Sequence, residues 1–92
     1  MSEKTRELLR KAIREASPLG ADLVFEDSTP LLADGIIDSM GIFGVMTELE
    51  GALGFSFPPE ELVAENFQSI DTMFAMVQRL IDKGTIPREA AE

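Results

Sequence analysis

The chain has 92 residues, 45% of them hydrophobic and 27% charged, with no cysteine, no histidine and a formal net charge of −9. That length supports one domain with one modest core, and the missing cysteines exclude a disulfide framework, a thiolate metal site and cysteine-based catalysis. The acidic balance speaks against nucleic acid and anionic membranes as partners. No apolar run is long enough to insert into or cross a bilayer, and Met1 to Arg6 lead into no signal core, so the expected location is the cytoplasm.

Leu8, Leu9, Ala12, Ile13 and Ala16 recur at helical spacing and predict a first helix over residues 3–16, with Ser2 as its cap and Pro18 and Gly20 ending the pattern. Five basic residues, Lys4, Arg6, Arg10, Lys11 and Arg14, lie in this helix, and Arg79, Lys83 and Arg88 lie near the other end of the chain. Between Glu15 and Gln78 there is no lysine or arginine. Residues 17–38 hold Pro18, Gly20, Pro30 and Gly35 and keep no helical period, so they read as a long ordered loop. Its apolar residues Leu19, Leu23, Val24, Phe25, Leu31, Leu32, Ile36 and Ile37 predict that it packs over the core.

A second helix is expected over residues 39–53, with Ile42, Val45, Met46, Leu49 and Leu53 facing the core. At about 100° per residue, Met40, Phe43 and Thr47 fall on nearly the opposite side, which makes Phe43 exposed or covered only by the loop. Gly41 and Gly44 should each cost the helix roughly 0.5–1 kcal/mol relative to alanine, unless another surface approaches closely there. Ser39 opens this helix one step after Asp38. A serine in that place is commonly a cap. A phosphodiester on its hydroxyl would also be well placed, because the first N–H groups of a helix lack internal partners and the dipole is positive there. Without a histidine or cysteine nearby, an attachment point suits Ser39 better than a nucleophile.

Gly54 is placed to stop the second helix, and Phe55-Ser56-Phe57 alternates briefly before Pro58-Pro59. Pro59-Glu60-Glu61-Leu62 then reads as the start of a short third helix with acids in its first turn. Ser69 caps a last helix running to about residue 83, with the stripe Ile70, Met73, Phe74, Val77, Leu80 and Ile81 and with Gly84 as its stop. Residues 1–84 form the expected single domain and residues 85–92 a flexible tail.

The stretch Asp34-Gly35-Ile36-Ile37-Asp38-Ser39-Met40-Gly41, the helix after it, and the later Gly54-Phe55-Ser56-Phe57-Pro58-Pro59-Glu60-Glu61-Leu62 and Glu65-Asn66-Phe67-Gln68-Ser69-Ile70-Asp71 resemble the acyl carrier protein family. The likeness runs from about Ser28 to Leu80. It implies an all-α, acyl-carrier-like four-helix bundle with a long first loop and a short third helix. It also implies a 4'-phosphopantetheine arm on Ser39, with Asp38 as the motif acid. A phosphopantetheinyl transferase would install the arm, and an acyl- or aminoacyl-activating ligase and a downstream transferase or synthase would be the further partners of a monomeric, non-catalytic carrier. Carriers of type II fatty acid synthesis usually bear several acids along the second helix, whereas residues 41–45 here are glycine or apolar. The chain is more similar to specialised carriers that serve a dedicated ligase. Fatty acyl, D-alanyl and other aminoacyl cargo all remain open.

A carboxylate pair such as Asp34 and Asp38 fits solvated loop acids, or acids that help a modifying enzyme and its magnesium approach Ser39. The loop lacks EF-hand spacing, and the sequence holds no metal motif. The partner surface expected from sequence comprises Met40, Phe43 and Thr47, with Asp34, Glu60, Glu61 and Glu65 attracting a basic partner. A rival of another class is an unmodified helical interaction module that docks through Met40 and Phe43.

Overall fold

Each of the three long periodic segments is an α-helix in the computed structural model, which describes residues 2–91. They are α1 (Ser2–Ala16), α2 (Ser39–Leu53) and α3 (Ile70–Asp82), and no strand occurs among the described residues. The cap expected of Ser2 lies outside the described side chains. α2 ends where expected, at Gly54, whose φ of 69° is the left-handed conformation that glycine adopts without penalty. α3 starts on a reciprocal cap: Ser69 accepts the Thr72 N–H and the Thr72 hydroxyl accepts the Ser69 N–H.

One hydrophobic core joins the three helices. Leu9, Ala12 and Ile13 of α1, Val45, Leu49 and Leu53 of α2, and Ile70, Met73, Val77 and Leu80 of α3 are all buried in it. Removing each of these side chains other than that of Ala12 from water favours the fold by roughly 1.5–3 kcal/mol. Phe57 and Phe67 close one end as an edge-to-face pair with ring centroids 6.0 Å apart.

Residues 17–38 contain a single 3-10 turn (Gly20–Asp22) and otherwise run irregularly between α1 and α2. Only part of the apolar content expected to pack does so. Leu23, Leu31, Ile36 and Ile37 are buried, whereas Leu19, Val24 and Leu32 stay exposed, Val24 at 90%. Three tethers pin this segment. The Ser17 hydroxyl donates to the Ile36 carbonyl at 2.6 Å, the Leu31 N–H to the Gln68 carbonyl at 2.8 Å, and the Asp71 N–H to the Asp27 carbonyl at 3.0 Å. Around them, the Asp27 carboxylate takes both Arg6 and Arg10 at 2.8 Å, and Arg6 also reaches Asp71 at 2.8 Å. The Arg10 and Arg6 guanidinium groups hold the Asp27 carboxyl below its usual range, although partial burial opposes them.

Two expectations change here. The short third α-helix is a pair of 3-10 turns (Pro59–Glu61 and Ala64–Phe67), because Leu62 and Val63 between them leave helical geometry, Val63 becoming fully extended. Residues 85–91, expected as a flexible tail, fold back instead: the Thr85 and Ile86 N–H groups donate to the Leu80 carbonyl, and Ile86 is fully buried. Residue 92 of that tail lies outside the described residues.

Candidate functional site

Asp38 rather than Ser39 caps α2. Its backbone is extended, and its carboxylate accepts the Gly41 N–H at 2.8 Å. Ser39 is therefore the first helical residue. It is exposed, and its hydroxyl makes no hydrogen bond among the described residues. With the capping role taken by its neighbour, the serine hydroxyl has no structural task of its own. The N–H groups of Ser39 and Met40 are of the kind that a helix start leaves without intrahelical partners.

Tight contacts hold this helix start in place. A methyl group added at Gly41 would run into the Ile37 side chain and lie 3.3 Å from the Ala16 carbonyl, and Ile37 is itself buried. Gly41 thus lets the start of α2 sit directly against the end of α1 and the last residues of the loop. Gly44, one turn further on, has only the Ala16 methyl at 3.9 Å. The close approach inferred from the two glycines holds for Gly41 alone.

An apolar groove of about 360 Å³ opens beside Ser39. Ile42, Phe43 and Met46 of α2 form one wall; Leu62, Val63, Ala64 and Phe67 form the other, and Leu32 from the loop also lines it. No charged side chain lines it, and the Ser39 hydroxyl is its one side-chain polar group. Ile42 and Met46 were expected in the core, but they are half-buried because the extended stretch at Leu62 and Val63 leaves space over them. Sequence reasoning missed the second wall. The run Leu62-Val63-Ala64, apolar between Glu61 and Glu65 yet without helical period, was the available signal.

The expected partner surface divides. Phe43 is 61% exposed and lines the groove, while Met40, 76% exposed, stands outside it. Thr47 is exposed, but its hydroxyl donates back to the Phe43 carbonyl at 3.0 Å. Asp34, Asp38, Glu60 and Glu65 are exposed and make no ion pair among the described residues. Glu65 borders a second hollow with Leu32, Ala33, Ala64 and Gln68, next to the groove.

Glu61 does not belong with these acids. It is 6% exposed, lies 2.9 Å from Arg79 and 3.7 Å from Lys83, and accepts the Asn66 side-chain amide at 3.0 Å. The Arg79 hydrogen bond pulls its carboxyl below the usual range against the effect of burial. Its place is internal: it fastens the 3-10 segment to α3. Among the described residues no cluster of acids could hold a metal ion, and no helix is long and apolar enough to cross a membrane.

Comparison with known proteins places this arrangement. The chain is 37% identical over 65 residues to the D-alanyl carrier protein of Lactococcus lactis subsp. cremoris (strain MG1363), covering 70% of this chain and 82% of the relative. It is 32% identical over 77 residues to aminoacyl carrier protein 1 of Bradyrhizobium diazoefficiens, covering 84% of this chain and 82% of that protein. The chain belongs to the stand-alone carrier protein family. No family model matches it.

Proposed function

We propose that the chain is a single carrier domain that tethers an acyl or aminoacyl group on a phosphopantetheine arm at Ser39 and presents it to partner enzymes. One observation carries the reading: in a carrier protein, the serine that opens α2 is exposed and free of hydrogen bonds because Asp38 does the capping. The residues suit such an arm. The dipole of α2 and the N–H groups of its first turn favour a phosphodiester, and the uncharged groove lies beside the point of attachment.

The arm supplies a terminal thiol, which this cysteine-free chain lacks and on which cargo is carried as a thioester. The protein's own residues do the rest. α2 fixes the position of the hydroxyl, Gly41 seats α2 against α1, and the exposed acids bring enzymes to the domain. Tethering raises the effective concentration of the cargo for any enzyme that binds the domain. The two relatives, whose names specify D-alanyl and aminoacyl cargo, favour an amino acid over a fatty acyl chain. The 3-10 turns at residues 59–67 occupy the place of the short third helix in an acyl-carrier-like bundle.

Partners proposed on this basis are a phosphopantetheinyl transferase, an aminoacyl- or acyl-activating ligase and a downstream transferase or synthase. They would meet Met40 and Phe43 through apolar contact, and Asp34, Asp38, Glu60 and Glu65 through basic surfaces. The test is direct. Apo protein incubated with coenzyme A, magnesium and a broad-specificity transferase gains one arm by mass, and Ser39→Ala gains none. Failure of the wild-type chain to react with several transferases would sink the proposal and favour an unmodified module docking through Met40 and Phe43.

A further inference from the structure

Methionine carries the readily oxidised chemistry of this chain. The polypeptide has no cysteine, histidine, tryptophan or tyrosine, so among its side chains the thioethers of five methionines are what a mild oxidant meets. The structure ranks four of them. Met73 and Met76 are fully buried in the core, Met46 is half-buried along α2, and Met40 is 76% exposed. Met40 also follows Ser39 directly, as the second residue of α2, and stands outside the groove. An enzyme that closes on the Ser39 hydroxyl therefore passes over the most accessible methionine sulfur of the described residues.

We propose that Met40 is a redox-sensitive modification site: a hydroperoxide converts it to the sulfoxide, and the sulfoxide withdraws the domain from the enzymes that act at Ser39 until it is reduced. The inference rests on the reading of Ser39 as the attachment point and of Met40 as an apolar contact beside it. The Met40 sulfur donates an electron pair to one peroxide oxygen, the O–O bond breaks as the S–O bond forms, and the other oxygen takes the proton and leaves as water or an alcohol. The sulfur is oxidised by two electrons and the peroxide is reduced. The product keeps the reach of the side chain but replaces a soft apolar tip with a strongly polar S–O group. Pressed against an apolar partner surface, that group loses its water without gaining a donor. Because Met40 lies outside the core, the change falls on recognition and leaves the fold intact. Methionine sulfoxide reductases restore the thioether, which makes the change reversible.

The test treats the full apo chain with dilute hydrogen peroxide, since the thiol of an attached arm would itself be oxidised. Sulfoxide is mapped over time by peptide fragmentation. After removal of the peroxide, the same samples are timed as they gain an arm from coenzyme A, magnesium and a broad-specificity transferase. Met40 should gain one oxygen well before Met46, Met73 or Met76, with the thermal midpoint unchanged. Arm gain should slow about tenfold, equivalent to about 1.4 kcal/mol, and recover after incubation with the two epimer-specific reductases and dithiothreitol. Met40→Leu, measured against its own untreated rate, should show no slowing after the same exposure. Oxidation of the buried methionines as fast as Met40 would overturn the inference, as would slowing of Met40→Leu equal to that of wild type. Complete oxidation at Met40 with an unchanged rate of arm gain would overturn it and leave the carrier reading intact. A chain that gains no arm before treatment brings down the carrier reading, and the proposed regulation with it, whatever its oxidation pattern.

Discussion

The two sides of the molecule use charge and apolar surface in opposite ways. On the side where α1 meets the loop and α3, acids and bases are joined to one another: Arg6 and Arg10 to Asp27, Arg6 to Asp71, and Arg10 to Glu3. On the side of Ser39, Asp34, Asp38, Glu60 and Glu65 make no ion pair among the described residues, and Met40, Phe43, Leu62 and Val63 stand exposed. Arg6 and Arg10 of the N-terminal third thus act as internal fastening, and the proposed recognition surface is the acidic, apolar side. The segregation legible in the sequence reflects this division of labour.

Substitutions on opposite faces of α2 break or sharpen that contrast most strongly. Leu49→Ala, on the fully buried face, should cost roughly 2–5 kcal/mol by denaturant unfolding, whereas Phe43→Ala should stay within about 0.5 kcal/mol and weaken recognition by the ligase or transferase. Comparable losses from the two would place Phe43 in the core and remove it from the partner surface. Gly41→Ala and Gly44→Ala make the finer version of the same test. The first should destabilise by about 1–3 kcal/mol through overpacking against Ile37 and Ala16, and the second should stabilise by roughly 0.5–1 kcal/mol through helix propensity alone.

Neighbouring acids separate in the same manner. Glu61→Gln should cost about 1–3 kcal/mol because it weakens a buried, charge-assisted cluster, while Glu60→Gln should be close to neutral in stability. The pH dependence follows from the directions of the shifts. Asp27 and Glu61 are held below their ordinary values of 3.8 and 4.5, so their contribution is complete above those values and is lost as pH falls through the lower folded-state values. Thermal unfolding monitored on acidification should show stability falling below about pH 4, less steeply in Asp27→Asn. The smallest effect is kinetic. Glu60→Lys/Glu65→Lys should slow loading by the cognate ligase at low salt and leave the rate at high salt nearly unchanged; a salt-independent rate in both proteins would remove electrostatic steering.

The helices and the serine that opens α2 were legible because each depends on residues close in sequence. Helical spacing exposes the stripes of α1 and α3, and Asp38-Ser39-Met40 needs only its flanking loop and helix to stand out. What escaped depends on partners distant along the chain. Glu61 reads as a surface acid until Arg79, eighteen positions away, is found against it. Ile42 and Met46 share the periodicity of Val45 and Leu49, but period reveals a common face and not how far its cover extends. Ile86 follows Gly84, a plain stop signal, and only the return of the chain onto Leu80 shows that it belongs to the core. The two residues that interrupt the 3-10 segment, Leu62 and Val63, look helical or extended from sequence with equal ease.

The claim that Ser39 is where this carrier bears its arm meets its most direct test in the intact mass of the protein purified from the cells that make it, followed by fragmentation to locate any added group. The account predicts one phosphopantetheine, free or loaded with an amino acid, on the fragment containing Ser39 and on no other. A population entirely at the mass of the bare chain, or an arm mapped to a different residue, would contradict it.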